Sequence, residues 1–153
     1  MRVILCADEK NGLMFNRRRQ SQDRELRKRI LSIIGDEKLH VSAYSAGQFT
    51  ESEWADKLVI CEDPMTASAA PAAPAGPASA ASKRVYYFAE GQPLLPAAEA
   101  GIIEDVILYR WDKVYPADTW LDLPLTGAWH LAASTDFAGY SHEKITEEIY
   151  RPV

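Results

Sequence analysis

Residues 2–7, Arg-Val-Ile-Leu-Cys-Ala, form an almost unbroken apolar run, and no other stretch constrains the fold as strongly. A strand with one face in water alternates apolar and polar residues; a run without alternation must be covered on both faces. Asp8-Glu9-Lys10-Asn11-Gly12 closes the run with turn-forming residues, so 2–7 reads as a buried central strand. Further strands are expected at 38–42, 57–61, 85–89 and 105–111. Between the first two of these five runs, Leu26, Ile30, Ile33 and Ile34 recur at helical spacing and predict a helix over about 22–34. Ser21 is its expected cap, Asp23 lies in its first turn, and Gly35 is its stop. Short helices are expected at 47–56, carrying Phe49 and Trp54, and at 94–100. Alternation in Trp129–Ala133 and again in Ile145–Tyr150 predicts a closing antiparallel pair. Strand–helix alternation followed by a hairpin gives an α/β fold. It has a mixed, mostly parallel central sheet, helices on both faces and a C-terminal antiparallel hairpin.

A length of 153 residues suits one domain, 1–153. Its one compositional break is 65–82, nearly all Ala, Pro, Ser and Gly, where Pro71, Pro74 and Pro77 oppose a helix. This segment is expected to be a low-complexity surface loop, because the strands on either side belong to one pattern. No apolar run is long enough to cross a membrane, and the opening run is too short for a secretory signal. Cys6 and Cys61 lie in apolar strands and read as reduced core residues, so a cytoplasmic location is expected. Trp54, Trp111, Trp120 and Trp129 read as core or pocket wall.

His40, His130 and His142 are dispersed, without metal-ligand spacing, and no metal site is expected. Serine, histidine and aspartate occur without a G-x-S-x-G elbow, and His142 reads as a polar turn residue. The net charge of −5 opposes general nucleic-acid binding. Against that balance, Arg17, Arg18, Arg19, Arg24, Arg27, Lys28 and Arg29 place seven cations within 13 residues. One reading is a solvated helix face with a polar loop. The other is an anion site, because the planar guanidinium fork holds both oxygens of a carboxylate or phosphate. Gln20 and Gln22 would then add hydrogen bonds beside Asp23.

The order of elements at this length resembles the dihydrofolate reductase family. Val3–Ala7 with Asp8 and Asn11-Gly12-Leu13 is similar to that family's first strand and the start of its active-site loop. Val106–Trp111, followed by Tyr115, Pro116 and Ala117-Asp118-Thr119, is similar to its long strand and the Gly-Asp-Thr segment after it. Trp129-His130-Leu131 and Lys144–Arg151 resemble the final hairpin, so the likeness spans the chain apart from 65–82. The resemblance implies that Asp23 is the catalytic carboxylate, which holds the substrate ring and helps deliver a proton while a nicotinamide delivers hydride. The cofactor positions depart from the pattern. Ala89-Glu90 stands where the family has Gly-Gly, Ala43-Tyr44-Ser45-Ala46 where it has Gly-Arg-x-Thr, and Glu62-Asp63 where small hydroxyl residues meet the adenosine phosphate. The NADPH grip is therefore expected to be lost, with no cofactor bound. A diverged relative is expected that binds a small anionic heterocycle through Arg17, Arg18, Arg19, Gln20, Gln22, Asp23 and Tyr109. Two alternatives are an active NAD(P)H-dependent reductase of a pterin-like substrate, and a protein binding RNA or an acidic partner through 17–29. Oligomeric state is left open.

Overall fold

The structure, a computed structural model, describes residues 1–67 and 84–153. Strand β1 (Arg2–Ala7) is buried along most of its length, and its alternate side chains feed two cores. Val3, Leu5 and Ala7 point to one, with Tyr87, Val106, Leu108 and Trp129. Ile4 points to the other, with Phe88, Ile107, Tyr109 and Trp111. This two-sided burial is why the run lacks polar alternation.

Among the described residues the main sheet has seven strands in the order β5-β4-β6-β1-β7-β10-β9. They are β4 (Leu39–Val41), β5 (Leu58–Ile60), β6 (Tyr86–Ala89), β7 (Asp105–Trp111), β9 (Trp129–Phe137) and β10 (Ile145–Pro152) beside β1. β5, β4, β6, β1 and β7 are parallel, while β10 runs antiparallel to both β7 and β9. Helix α1 (Arg24–Ile34) covers one face with Leu26, Ile30 and Ile34. Full burial of each such side chain stabilises by about 1.5–3 kcal/mol. Short helices α3 (Pro64–Ala67) and α4 (Leu95–Glu99) bring Ala67 and Ala97 to the opposite core.

Several expectations need correction. Asp23, not Ser21, caps α1: its carboxylate accepts from the N–H groups of Glu25 and Leu26 at 2.8 and 3.4 Å. No helix spans 47–56; Ser42 caps α2 (Ala43–Ala46), and a single 3-10 turn covers Ser52–Trp54. Phe49 and Trp54 are buried through edge-to-face packing, with ring centres 4.7 Å apart, rather than as a helical stripe. Met65–Ala67, assigned to the low-complexity loop, lie in α3; 68–82 of that loop fall outside the described residues. Trp120 is 55% exposed rather than core.

The polar stretch before α1 is not a loop throughout. Strands β2 (Gly12–Phe15) and β3 (Arg18–Arg19) make a hairpin, joined on its other side by β8 (Thr119–Trp120). Asn16 and Arg17 both take positive φ, 53° and 60°, the signature of a tight two-residue primed turn. Asp118 steadies that turn by accepting from the Asn16 N–H at 3.0 Å.

Candidate functional site

In open α/β sheets, ligands bind outside the carboxyl ends of the parallel strands, where successive connections leave in opposite directions. Here that point lies at β1 and β6: the chain leaves β1 for α1 and β4 on one side, and β6 for α4 and β7 on the other. The β2–β3 hairpin reaches this crevice. Arg19 Nε donates to Glu90 Oε2 at 2.9 Å and its Nη2 to Glu90 Oε1 at 3.2 Å, a bidentate pair just past β6. The same guanidinium donates to the Tyr44 carbonyl at 3.2 Å and stacks 4.4 Å from the Tyr44 ring centre. Gly91, at φ 88°, receives Met14 so closely that a Cβ there would stand 2.5 Å from its sulfur.

Beside the hairpin lies a cleft of about 290 Å³ lined by Phe15, Arg18, Arg19, Gln20, Tyr115 and Pro116. Asp8, buried at the end of β1, shapes it. Its carboxylate accepts from the N–H groups of Lys10, Gly12 and Tyr115 and from Gln20 Nε2, at 2.8–3.1 Å. Burial would raise its pKa, but these donors hold it below the ordinary value, so it stays ionised. Gln20 Nε2 faces two acceptors, Asp8 and the Pro116 carbonyl, which fixes the amide orientation. Gln20 Oε1 is then a buried acceptor without a partner among the described residues.

A second polar cluster sits behind the first. Asp23 is fully enclosed and accepts from the N–H groups of Tyr140 and Ser141 at 2.9 Å, in addition to its two helix contacts. His142 Nδ1 lies 2.9 Å from Asp23 Oδ2, and its Nε2 lies 2.9 Å from Ser21 Oγ and 3.3 Å from the Tyr115 hydroxyl. The imidazole stacks on Trp111 with centres 4.4 Å apart. Burial works to raise the Asp23 pKa, yet the N–H of Tyr140, the imidazole and the N–H groups of Ser141 and Glu25 hold it far below the usual carboxylate range.

No family model matches the sequence, and no curated relative matches it. Among solved structures, dihydrofolate reductase from Enterococcus faecalis complexed with NADP(H) and RAB-propyl superposes with a TM-score of 0.63. The match covers 99% of this chain and 96% of that one at 10% identity. The fold is that of dihydrofolate reductase. At that identity the likeness establishes the fold alone, and the dihydrofolate-reductase-like scaffold carries its own set of side chains.

The sequence-predicted residues divide accordingly. Arg18, Arg19 and Gln20 meet at the cleft, and Arg17 stands at the hairpin turn. Gln22 and Asp23 border a different, shallow cavity with Arg24, Arg27 and Tyr140, where Gln22 accepts from Arg27 at 3.2 Å. Every Asp23 oxygen is already engaged inside the protein, so a ligand would reach it only by displacing Tyr140–His142. Tyr109 lies in the α1-side core, where its hydroxyl donates to Glu147 at 2.8 Å; burial, then that carboxylate, raise its pKa strongly. The basic run is largely paired: Arg19 with Glu90, Arg27 with Glu51, Lys28 with Glu25 and Arg29 with Glu147. Sequence reasoning missed Tyr115 in the cleft and the role of His142. No local spacing could have found the latter, since its partners lie 119 and 121 residues away.

Proposed function

We propose that this chain is a small-molecule-binding protein on the dihydrofolate reductase fold. It takes a flat, anionic heterocycle in the cleft beside Gln20 and does not grip NADPH. The unpartnered Gln20 Oε1 carries the reading. A buried acceptor without a partner costs about 1–3 kcal/mol, and a ligand N–H would recover it by parting the cleft wall that now closes Oε1 to solvent. Around it stand the right complements: Arg18 with no ion pair among the described residues, Phe15 half exposed, and the Tyr115 ring. At about 290 Å³ the cleft suits one small ring system rather than a dinucleotide.

The residues at the cofactor positions do not fit NADPH. Glu90 presents a carboxylate where phosphate would come, and its neutralising cation, Arg19, is already engaged by it. Tyr44 and Met14 fill space beside it. Calorimetric titration of the whole chain tests both halves. NADPH should bind no tighter than about millimolar, roughly 4 kcal/mol. A panel of N–H-bearing heterocyclic carboxylates should contain micromolar binders that lose affinity in Arg18→Ala and Gln20→Leu. Low-micromolar NADPH affinity with hydride transfer to a pterin would restore the reductase reading.

A further inference from the structure

Ser21 and Asp23, two residues apart ahead of α1, meet the distant His142 in a nucleophile–base–orienter arrangement. An ionised carboxylate only accepts, so the Nδ1 facing Asp23 carries the imidazole proton. The Nε2 lone pair is then directed at the Ser21 hydroxyl, 2.9 Å away. Trp111 stacks on one face of the ring, and the enclosed Asp23 fixes its tilt, so the base is held in place before any substrate arrives. His142 itself is 6% exposed, whereas Ser21 is half-buried and follows Gln20 of the cleft. A polar network that served only to satisfy His142 would be complete with Asp23 and Tyr115. Ser21 adds a hydroxyl, on a residue that is only half-buried, at the shorter distance.

We propose that Ser21 is a nucleophile toward small carboxylic esters, with His142 as its general base and Asp23 as the residue positioning the imidazole. The Ser21 proton passes to His142 Nε2 as Oγ bonds to the ester carbonyl carbon. The carbon–oxygen bond to the alcohol breaks, and the imidazolium returns that proton to the leaving oxygen. Water, activated by the same nitrogen, then cleaves the acyl-serine. The sum is ester plus water giving acid plus alcohol, with no redox change. While the imidazole is protonated, the Tyr115 hydroxyl oxygen can accept from Nε2. The site does not depend on what fills the cleft beside Gln20. The charged groups around His142 are Asp23 on one side and Asp112, Lys113, Glu143 and Lys144 around the shallow cavity it borders.

The test is covalent labelling of the whole chain with a fluorophosphonate probe, with peptide mapping, alongside turnover of p-nitrophenyl acetate. One phosphonyl adduct is expected on Ser21, absent in Ser21→Ala. His142→Gln should slow labelling by about 100-fold or more, the scale of general-base assistance. Absence of a Ser21 adduct in the unaltered chain, or an unchanged labelling rate in His142→Gln, would overturn the proposal. The mapped adduct on the unaltered chain decides the question even where His142→Gln fails to fold.

Discussion

Replacing Asp23 by Asn keeps the shape of the side chain and removes its charge, and the structure sets the expected cost. Oδ1 takes the N–H groups of Glu25, Leu26 and Tyr140, which an amide oxygen can still accept. Oδ2 takes the Ser141 N–H, the Ser141 hydroxyl and His142 Nδ1. An amide nitrogen in that place is a donor facing donors. Hydrogen bonds to a charged group contribute about 1.5–3 kcal/mol each, and an orphaned buried donor costs about 1–3 kcal/mol. Partial relaxation leaves an expected loss of about 3–5 kcal/mol, the scale seen when one partner of a buried charged pair is removed. For a chain of this size that is a fall of roughly 6–20 °C in melting temperature. The pH dependence supplies a second check. The folded-state pKa of Asp23 is depressed, so its charge stabilises the fold above the unfolded carboxylate value near ~3.9. That contribution is lost as pH falls from there through the folded value. Urea unfolding of both proteins should show a gap that is constant near neutrality and shrinks by about 1.4 kcal/mol per pH unit below about 4. A gap under about 1 kcal/mol at pH 7, or one indifferent to acid, would refute the reasoning.

Gly139→Ala should cost about 1–3 kcal/mol, because a Cβ there would lie 2.7 Å from Asp23 Oδ2 and 2.8 Å from the His142 carbonyl, and the backbone must shift. Thermal unfolding checks this, and an unchanged midpoint would show that the 138–143 loop yields freely. Glu90→Gln should weaken the hold on Arg19 and speed amide exchange across β2 and β3, leaving β1 and β7 protected. Uniform acceleration in all four strands would place the pair in the global stability of the sheet instead. Ile30→Ala, at a fully buried position on α1, should cost about 2–5 kcal/mol by chemical denaturation. A loss below 1 kcal/mol would mean that α1 is only loosely packed on the sheet.

The main sheet was legible because its signals are local. Val3–Ala7 is apolar on both sides of the chain, and Leu26, Ile30 and Ile34 repeat at helical spacing. What could not be read depends on distant partners. Gly12–Phe15 is too short, and Arg18–Arg19 too short and too polar, to declare itself, and they become strands because Thr119–Trp120 and Asp118 hold them. Ser21 and Asp23 are both good helix caps by type. The choice fell to Asp23 because Ser21 turns to His142 instead. The candidate site was half legible. The cluster of arginines beside Gln20 marked the cleft, but chain proximity alone could not show that Glu90, Glu51, Glu25 and Glu147 engage four of the basic side chains.

Taken one at a time, Glu90 and Tyr44 look like unrelated departures from a cofactor-binding pattern, and Arg19 like part of a separate basic run. In the fold they are one unit: the carboxylate, the carbonyl and the ring are all partners of a single guanidinium. A phosphate entering the crevice would have to draw Arg19 off Glu90. It would then sit beside a freed carboxylate, so the gain from one charge pair would be offset by repulsion from the other. Substituting Glu90 alone would not reopen the crevice, because Met14 packed on Gly91 and the Tyr44 ring under Arg19 would remain. The same unit draws the hairpin toward the sheet, with Gln20 anchored to Asp8 just beyond β3. The crevice past β6 and the cleft beside Gln20 are thereby coupled, since the arginine that pairs with Glu90 in one also walls the other.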